Sequence, residues 1–168
     1  GVASYLKVFR RGAKVAISEI APVLVHFAFE IEDENSFEIR LGAVPVHLHV
    51  FRVKADGRRI FTNATPEGRA LCAALDDALA GRIEHDALNG LMTTSGLDLR
   101  TTSLMRCYRN YARQIAAIGA RQTANSALLK HPKAVQLLAR LFAERFEPAR
   151  ADAKAFARTT KAFDAYLA

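Results

Sequence analysis

The residues with the means to do chemistry fall into three groups: the pair His47 and His49, the run Glu84-His85-Asp86, and Tyr108 and Tyr111 interleaved with Arg106, Arg109 and Arg113. Two imidazoles two residues apart share one face of a strand, a geometry a metal ion can use. No third ligand stands at a clear spacing, and Phe51 and Val53 continue the same face. Core or interface histidines are therefore the stronger reading. Glu84, His85 and Asp86 carry acid and base groups, but three consecutive helical residues fan out over about 200°. First-turn capping and salt bridging suit them better than catalysis. Exposed tyrosines could stack bases, and arginines between them could hold phosphate. The commoner arrangement is a buried aromatic seam with a solvated or interdomain arginine face. Cys72 and Cys107 both lie on apolar helical faces, which reads as reduced, buried thiols and not a disulfide. These readings assign no catalytic, cofactor-binding or metal-ligating residue.

The elements that must carry these groups follow from periodicity. Tyr5–Phe9 is rich in strand formers, and Arg11-Gly12 turns it. A helix from Ser18, its expected cap, runs to about Ala28, with Pro22 tolerated in its opening turns. Phe29–Asp33 alternates apolar and acidic; a kink or bulge at Glu34-Asn35 leads into Ser36–Arg40. Val46–Val53 is the best strand of the chain, Asp56-Gly57 a hairpin turn, and Arg59–Thr62 a short edge strand. Thr65-Pro66-Glu67 opens a helix with Leu71, Leu75 and Leu79 as its seam and Gly81 past its end. A second helix covers about Ile83 to Thr94. The next is capped by Asp98, with Leu104, Cys107, Tyr108, Tyr111, Ile115 and Ile118 on one face and Gly119 as its stop. Its Tyr111 is expected to be buried against the helix that holds Leu138 and Phe142. A shorter helix near 123–130 follows, then one begun by Pro132 that runs to about Phe146, then an Ala-rich helix in 149–168 anchored by Phe156, Phe163 and Tyr166.

Strand, helix, strand, strand, helix is the opening of a βαββαβ ferredoxin-like unit, and no final strand is visible. The fold class is α+β: a ferredoxin-like antiparallel sheet with helices at 1–64, then a helical portion at 65–168, with any break near Thr62 to Pro66. The 168 residues, 51% hydrophobic, suit one domain or two small lobes. No apolar run approaches the ~20 residues of a membrane span. The start, Gly1-Val-Ala-Ser-Tyr, lacks the layout of a signal peptide and an initiator Met, so the sequence reads as a cytoplasmic fragment. The net charge of +7 is uneven. Asp98 to Arg150 carries ten Lys or Arg against three acids, while residues 30 to 38 carry five acids. A basic half could bind nucleic acid, or could lie against acidic surface of a larger protein.

A resemblance decides between these. Met105-Arg-Cys-Tyr108-Arg-Asn-Tyr111-Ala-Arg-Gln114 resembles the Leu-Arg-Ala-Tyr-x-x-Tyr-Leu-Arg-Gln helix of the very large bacterial NAD-specific glutamate dehydrogenases. Gly81-Arg-Ile-Glu84-His-Asp86-Ala-Leu88-Asn89-Gly-Leu91 is similar to that family's Gly-x-x-Glu-x-Asp-x-Phe-Asn-x-Leu. His131-Pro132 and Leu141-Phe142-Ala-Glu-Arg145-Phe146-Glu147-Pro148 resemble its His-Pro and Leu-Phe-x-x-Arg-Phe-Asp-Pro. The likeness covers roughly residues 5 to 148. It departs at Leu88, Met105, Cys107 and Ala112, apolar for apolar, and at Glu147, acid for acid. It implies an ACT-like domain followed by a helical segment, within a homo-oligomeric enzyme that oxidises L-glutamate with NAD. It also implies that the partners are the remainder of that polypeptide and a small amino-acid effector. The sequence has no Gly-x-Gly-x-x-Gly, P-loop, Cys-x-x-Cys or Gly-x-Ser-x-Gly, so the expected role of this segment is non-catalytic, without NAD, nucleic acid or membrane of its own. A free-standing nucleic-acid module and an independent ACT-like amino-acid sensor remain the alternative readings.

Overall fold

The computed structural model describes residues 4–40, 42–55 and 61–168. The chain divides into two compact units, 1–99 and 100–168. The first unit holds β1 (Ser4–Arg11), α1 (Ile17–His26), β2 (Phe29–Ile39), β3 (Val46–Ala55), α2 (Pro66–Leu79), a 3₁₀ turn (Ala87–Gly90) and the single-turn α3 (Leu91–Thr94). The three strands form an antiparallel sheet in the order β1-β3-β2, which is the ferredoxin-like arrangement without a fourth strand among the described residues.

One irregularity governs the sheet. Ile31 faces Val53 and Asp33 faces Arg52, so Glu32 is an extra residue, a bulge two positions before the kink expected at Glu34-Asn35. Side chains alternate with period two, so one inserted residue reverses the phase of all that follow. Phe29 and Ile31 point with Phe51 and Val53 into the core. Beyond the bulge it is Glu34, Ser36 and Glu38 that share that side, and Phe37 and Ile39 turn to the opposite face. There Phe37 lies across from Leu48, which lies across from Phe9, and both phenylalanines are exposed. Glu32 itself pairs with Arg52 and Lys54, contacts that hold its carboxyl below the usual range, the Lys54 bond first.

The core side is closed by α1 and α2. Ile20, Leu24, Phe27 and Phe51 are fully buried, joined by Val53, Leu71, Ala74 and Leu75. Each large side chain so placed contributes about 1.5–3 kcal/mol of transfer free energy. Because α2 supplies Leu71, Ala74 and Leu75 to this core, it belongs with the sheet. Its start follows the sequence: Thr65 Oγ1 accepts from the Gly68 amide at 3.1 Å, with Pro66 at the first position. Gly68 has no room for a side chain, since a Cβ would sit 1.9 Å from the Thr62 carbonyl oxygen.

Three local expectations are corrected here. Ala16, not Ser18, is the N-cap of α1, with no side-chain bond, and Pro22 sits inside the helix, so one amide donor is missing there. The helix expected over Ile83–Thr94 is instead the 3₁₀ turn and α3. Asp86 accepts from Leu88 N at 3.0 Å and Asn89 reaches back to Asp86 N at 3.2 Å, so the capping box fixes the start at residue 87. Phe61 and Thr62 are not in a strand; the rest of the expected edge strand, and the Asp56-Gly57 turn, lie outside the described residues.

The second unit consists of α4 (Leu99–Gln114), α5 (Arg121–Lys130), α6 (Pro132–Phe146) and α7 (Ala153–Leu167). The helix expected to reach Ile118 stops a turn earlier. Ala117 N donates to Ala112 O at 2.9 Å and Ala116 N to Arg113 O at 3.1 Å, and Ala116 has φ 54°. This is a Schellman cap with alanine where glycine is usual. α7 is capped by Asp152, whose carboxylate accepts from the amides of Lys154 and Ala155, and those bonds hold its pKa below the usual range. Phe156, Phe163 and Tyr166 are half-buried, as its apolar spacing requires.

Candidate functional site

In the first unit the histidines separate into two sites. His49 is fully buried; its Nδ1 donates to Glu34 Oε1 at 2.7 Å, and its Nε2 is buried with no hydrogen-bond partner among the described residues. It is a core histidine whose carboxylate partner is delivered by the bulge. His47 is half-buried on the same face, beside Glu38 across the ladder. The second site was not anticipated as a pair. His26, in the last turn of α1, meets His85 from the segment before the 3₁₀ turn, Nδ1 to Nδ1 at 2.9 Å. Burial, and then His85, lower the His26 pKa, while Asp86 raises it. One imidazole must donate and the other accept, so this contact holds with one proton between the two Nδ1 atoms and fails with two. No cluster of three or more metal-ligating side chains occurs among the described residues. The 59-residue separation explains why sequence spacing could not show the pair.

In the second unit α4 reverses its expected polarity. Thr102, Met105, Arg106 and Arg109 are buried, whereas Tyr108, Tyr111 and Ile115 are exposed, Tyr111 by 59%. Arg109 is accommodated by amide oxygens: Nη1 donates to Asn125 Oδ1 at 2.8 Å, and Nη2 to Asn110 Oδ1 at 2.9 Å. A buried cation is tolerable when its donors are satisfied, and the sequence does not reveal which asparagines will be close. Tyr108, not Tyr111, meets Phe142, edge-on at 6.1 Å. Cys107 lies on the exposed side of the helix, and Cys72 is exposed too, with Sγ donating to Asn63 Oδ1 at 3.0 Å. Both thiols are free as expected, but neither is buried; residual burial pushes the Cys72 thiol up.

The exposed α4 face is one wall of an open apolar groove of about 900 Å³. Tyr108, Tyr111 and Ile115 form that wall, and Phe142 and Phe146 of α6 form the opposite one. Arg145, stacked over Phe156 at 5.3 Å, also lines it. Nothing in the lining of this groove resembles an acid–base or nucleophilic arrangement.

Two family models match the chain. One, glutamate dehydrogenase ACT3 domain, matches residues 2–65, and the other, glutamate dehydrogenase helical motif 3, matches residues 83–148. The chain belongs to the glutamate dehydrogenase family. Similar proteins include the NAD-specific glutamate dehydrogenase of Halomonas elongata, 26% identical over 144 residues, and that of Mycobacterium tuberculosis, 27% identical over 145. The Pseudomonas aeruginosa protein of the same name is 28% identical over 148 residues. These alignments cover 83–87% of this chain but 9% of each relative's length. As a glutamate dehydrogenase segment, the chain places the ACT3 match on β1, α1, β2 and β3. The helical motif begins just before the His26–His85 contact and contains both principal walls of the groove, while α7 lies beyond it. No helix among the described residues is long and apolar enough to cross a membrane.

Proposed function

We propose that this segment is a non-catalytic, regulatory or architectural part of a large, cytoplasmic, homo-oligomeric NAD-dependent glutamate dehydrogenase. The parent would convert L-glutamate and NAD to 2-oxoglutarate, ammonia and NADH. The observation that carries this reading is the consecutive match to an ACT3 domain and helical motif 3 on a chain spanning 9% of its relatives' length. The physics supports it. Hydride transfer needs a nicotinamide held beside the substrate, and the usual holder is a glycine turn that offers amides at a helix start. The glycines after Gly1, at 12, 42, 57, 68, 81, 90, 96 and 119, are too far apart to build that turn. The nucleic-acid alternative loses two of its cations, because Arg106 and Arg109 are buried and cannot reach phosphate.

The test has two parts. The purified chain is assayed for glutamate-dependent NADH formation and for NAD binding by calorimetry, with neither expected. The segment is then deleted from the parent, where loss of assembly or regulation is expected. Turnover by the chain alone overturns the reading, as does a parent that keeps activity, regulation and oligomeric state without it. Submicromolar binding of DNA or RNA with a steep inverse salt slope would favour the alternative.

A further inference from the structure

We propose that the groove between α4 and α6 is the docking site for an acidic amphipathic helix supplied from elsewhere in the same long polypeptide. This rests on the reading of the chain as a piece of a larger dehydrogenase. Three observations carry it. The first is exposure: Tyr108, Tyr111, Ile115 and Phe146, between 46% and 61% exposed, all line this one groove. Contiguous apolar surface of this kind marks an interaction site, whereas single exposed hydrophobics do not. The second is length. The α4 wall runs over the eleven residues from Met105 to Ile115, and its ten steps of 1.5 Å span about 15 Å. That accommodates nearly three turns of a helix laid along it, enough for apolar anchors at i, i+4 and i+7.

The third is charge. Residues 100–168 carry thirteen Lys or Arg against four acids, Glu144, Glu147, Asp152 and Asp164. The lining has no carboxylate, and its available cation is Arg145, since the Arg109 guanidinium is buried and bonded to Asn110 and Asn125. An acidic occupant is attracted to such a surface and a basic one is repelled. The same argument disfavours a second copy, since two units of equal positive charge would be brought face to face. It also sets the occupant's pattern: an apolar stripe at helical spacing, flanked by Asp or Glu.

The groove is tested with the intact 168-residue chain and a labelled probe peptide of about 20 residues, with Leu at the i, i+4 and i+7 positions and Glu on the remaining face. Fluorescence anisotropy should show micromolar binding that weakens with salt. The same peptide with Lys in place of Glu should bind at least about tenfold more weakly. Tyr111→Glu and Ile115→Glu place a carboxylate in the groove and should each reduce affinity by about tenfold or more, with the melting curve unchanged. An array of peptides tiling the rest of the parent then locates the occupant, and binding should concentrate in acidic segments of this pattern. Equal binding of the Lys peptide, or binding untouched by both groove variants, overturns the proposal. So does a dimer that Ile115→Glu dissociates, or groove-dependent binding to vesicles containing about 30% phosphatidylserine. Probe binding with an array empty of hits overturns the intramolecular source. None of these outcomes bears on whether the chain turns over glutamate, so the two readings fail separately.

Discussion

Replacing Ala116 with glycine should stabilise the helical unit. Ala116 occupies the left-handed region, φ 54°, at the end of α4, where two hydrogen bonds close the cap: Ala117 N to Ala112 O and Ala116 N to Arg113 O. A side chain in that conformation costs about 1–2 kcal/mol, because Cβ crowds the following carbonyl. Glycine removes that cost, but its extra freedom in the unfolded chain returns about 0.5–1 kcal/mol of it. The expected net gain is about 0.5–1 kcal/mol, or roughly 2–8 °C in the midpoint of a unit of this size. Ala116 is exposed, so the substitution removes no packing. Thermal unfolding followed at 222 nm measures it, with Gly81→Ala as the converse. Gly81 follows α2 at φ 68° with nothing within 4 Å of a built Cβ, so alanine there is penalised by conformation alone. If Ala116→Gly leaves the midpoint unchanged or lowers it, the left-handed cap does not carry this strain and the reasoning fails.

Acidification should weaken the first unit through His26. Its folded-state pKa lies below 6.5, from burial and then His85, so between 6.5 and that lower value the unfolded chain binds more protons than the folded one. Stability contributed by this group is present above pH 6.5 and is lost as pH falls through the window. Urea midpoints taken at about pH 8 and about pH 5.5 should therefore differ less in His26→Gln than in the parent chain, and equal differences would refute the linkage. Gly68→Ala should destabilise by about 1–3 kcal/mol, since its Cβ would meet the Thr62 backbone, and urea denaturation that shows no loss would place that contact elsewhere. Tyr111→Ala should cost less than about 0.5 kcal/mol in the same assay, because its ring is largely in solvent; a loss near the 3–5 kcal/mol of a core aromatic would restore the buried seam.

The sequence by itself determined the elements. The β-branched and aromatic run at Val46–Val53, the Thr65-Pro66 start and Pro132 each act within a few residues, so local chemistry fixes them. The order of elements was enough for the sheet, and motif spacing was enough for the family. What only the tertiary structure decided was direction and partnership. The sequence pointed to a bulge at Glu34-Asn35, but its place at Glu32, which turns Phe37 and Ile39 away from the core, was decided by the pairing with β3. The periodicity of α4 correctly found an apolar face, but a face that needs cover is not a face covered within these residues. Arg109 went inward because Asn110 and Asn125 were there to bond it, and Tyr111 stayed outward. His26 and His85 met because α1 and the segment before the 3₁₀ turn pack on one core, 59 residues apart. Hydrophobic pattern is a property of one segment, whereas burial, ion pairing and proton sharing belong to pairs of segments, and only packing chooses the pairs.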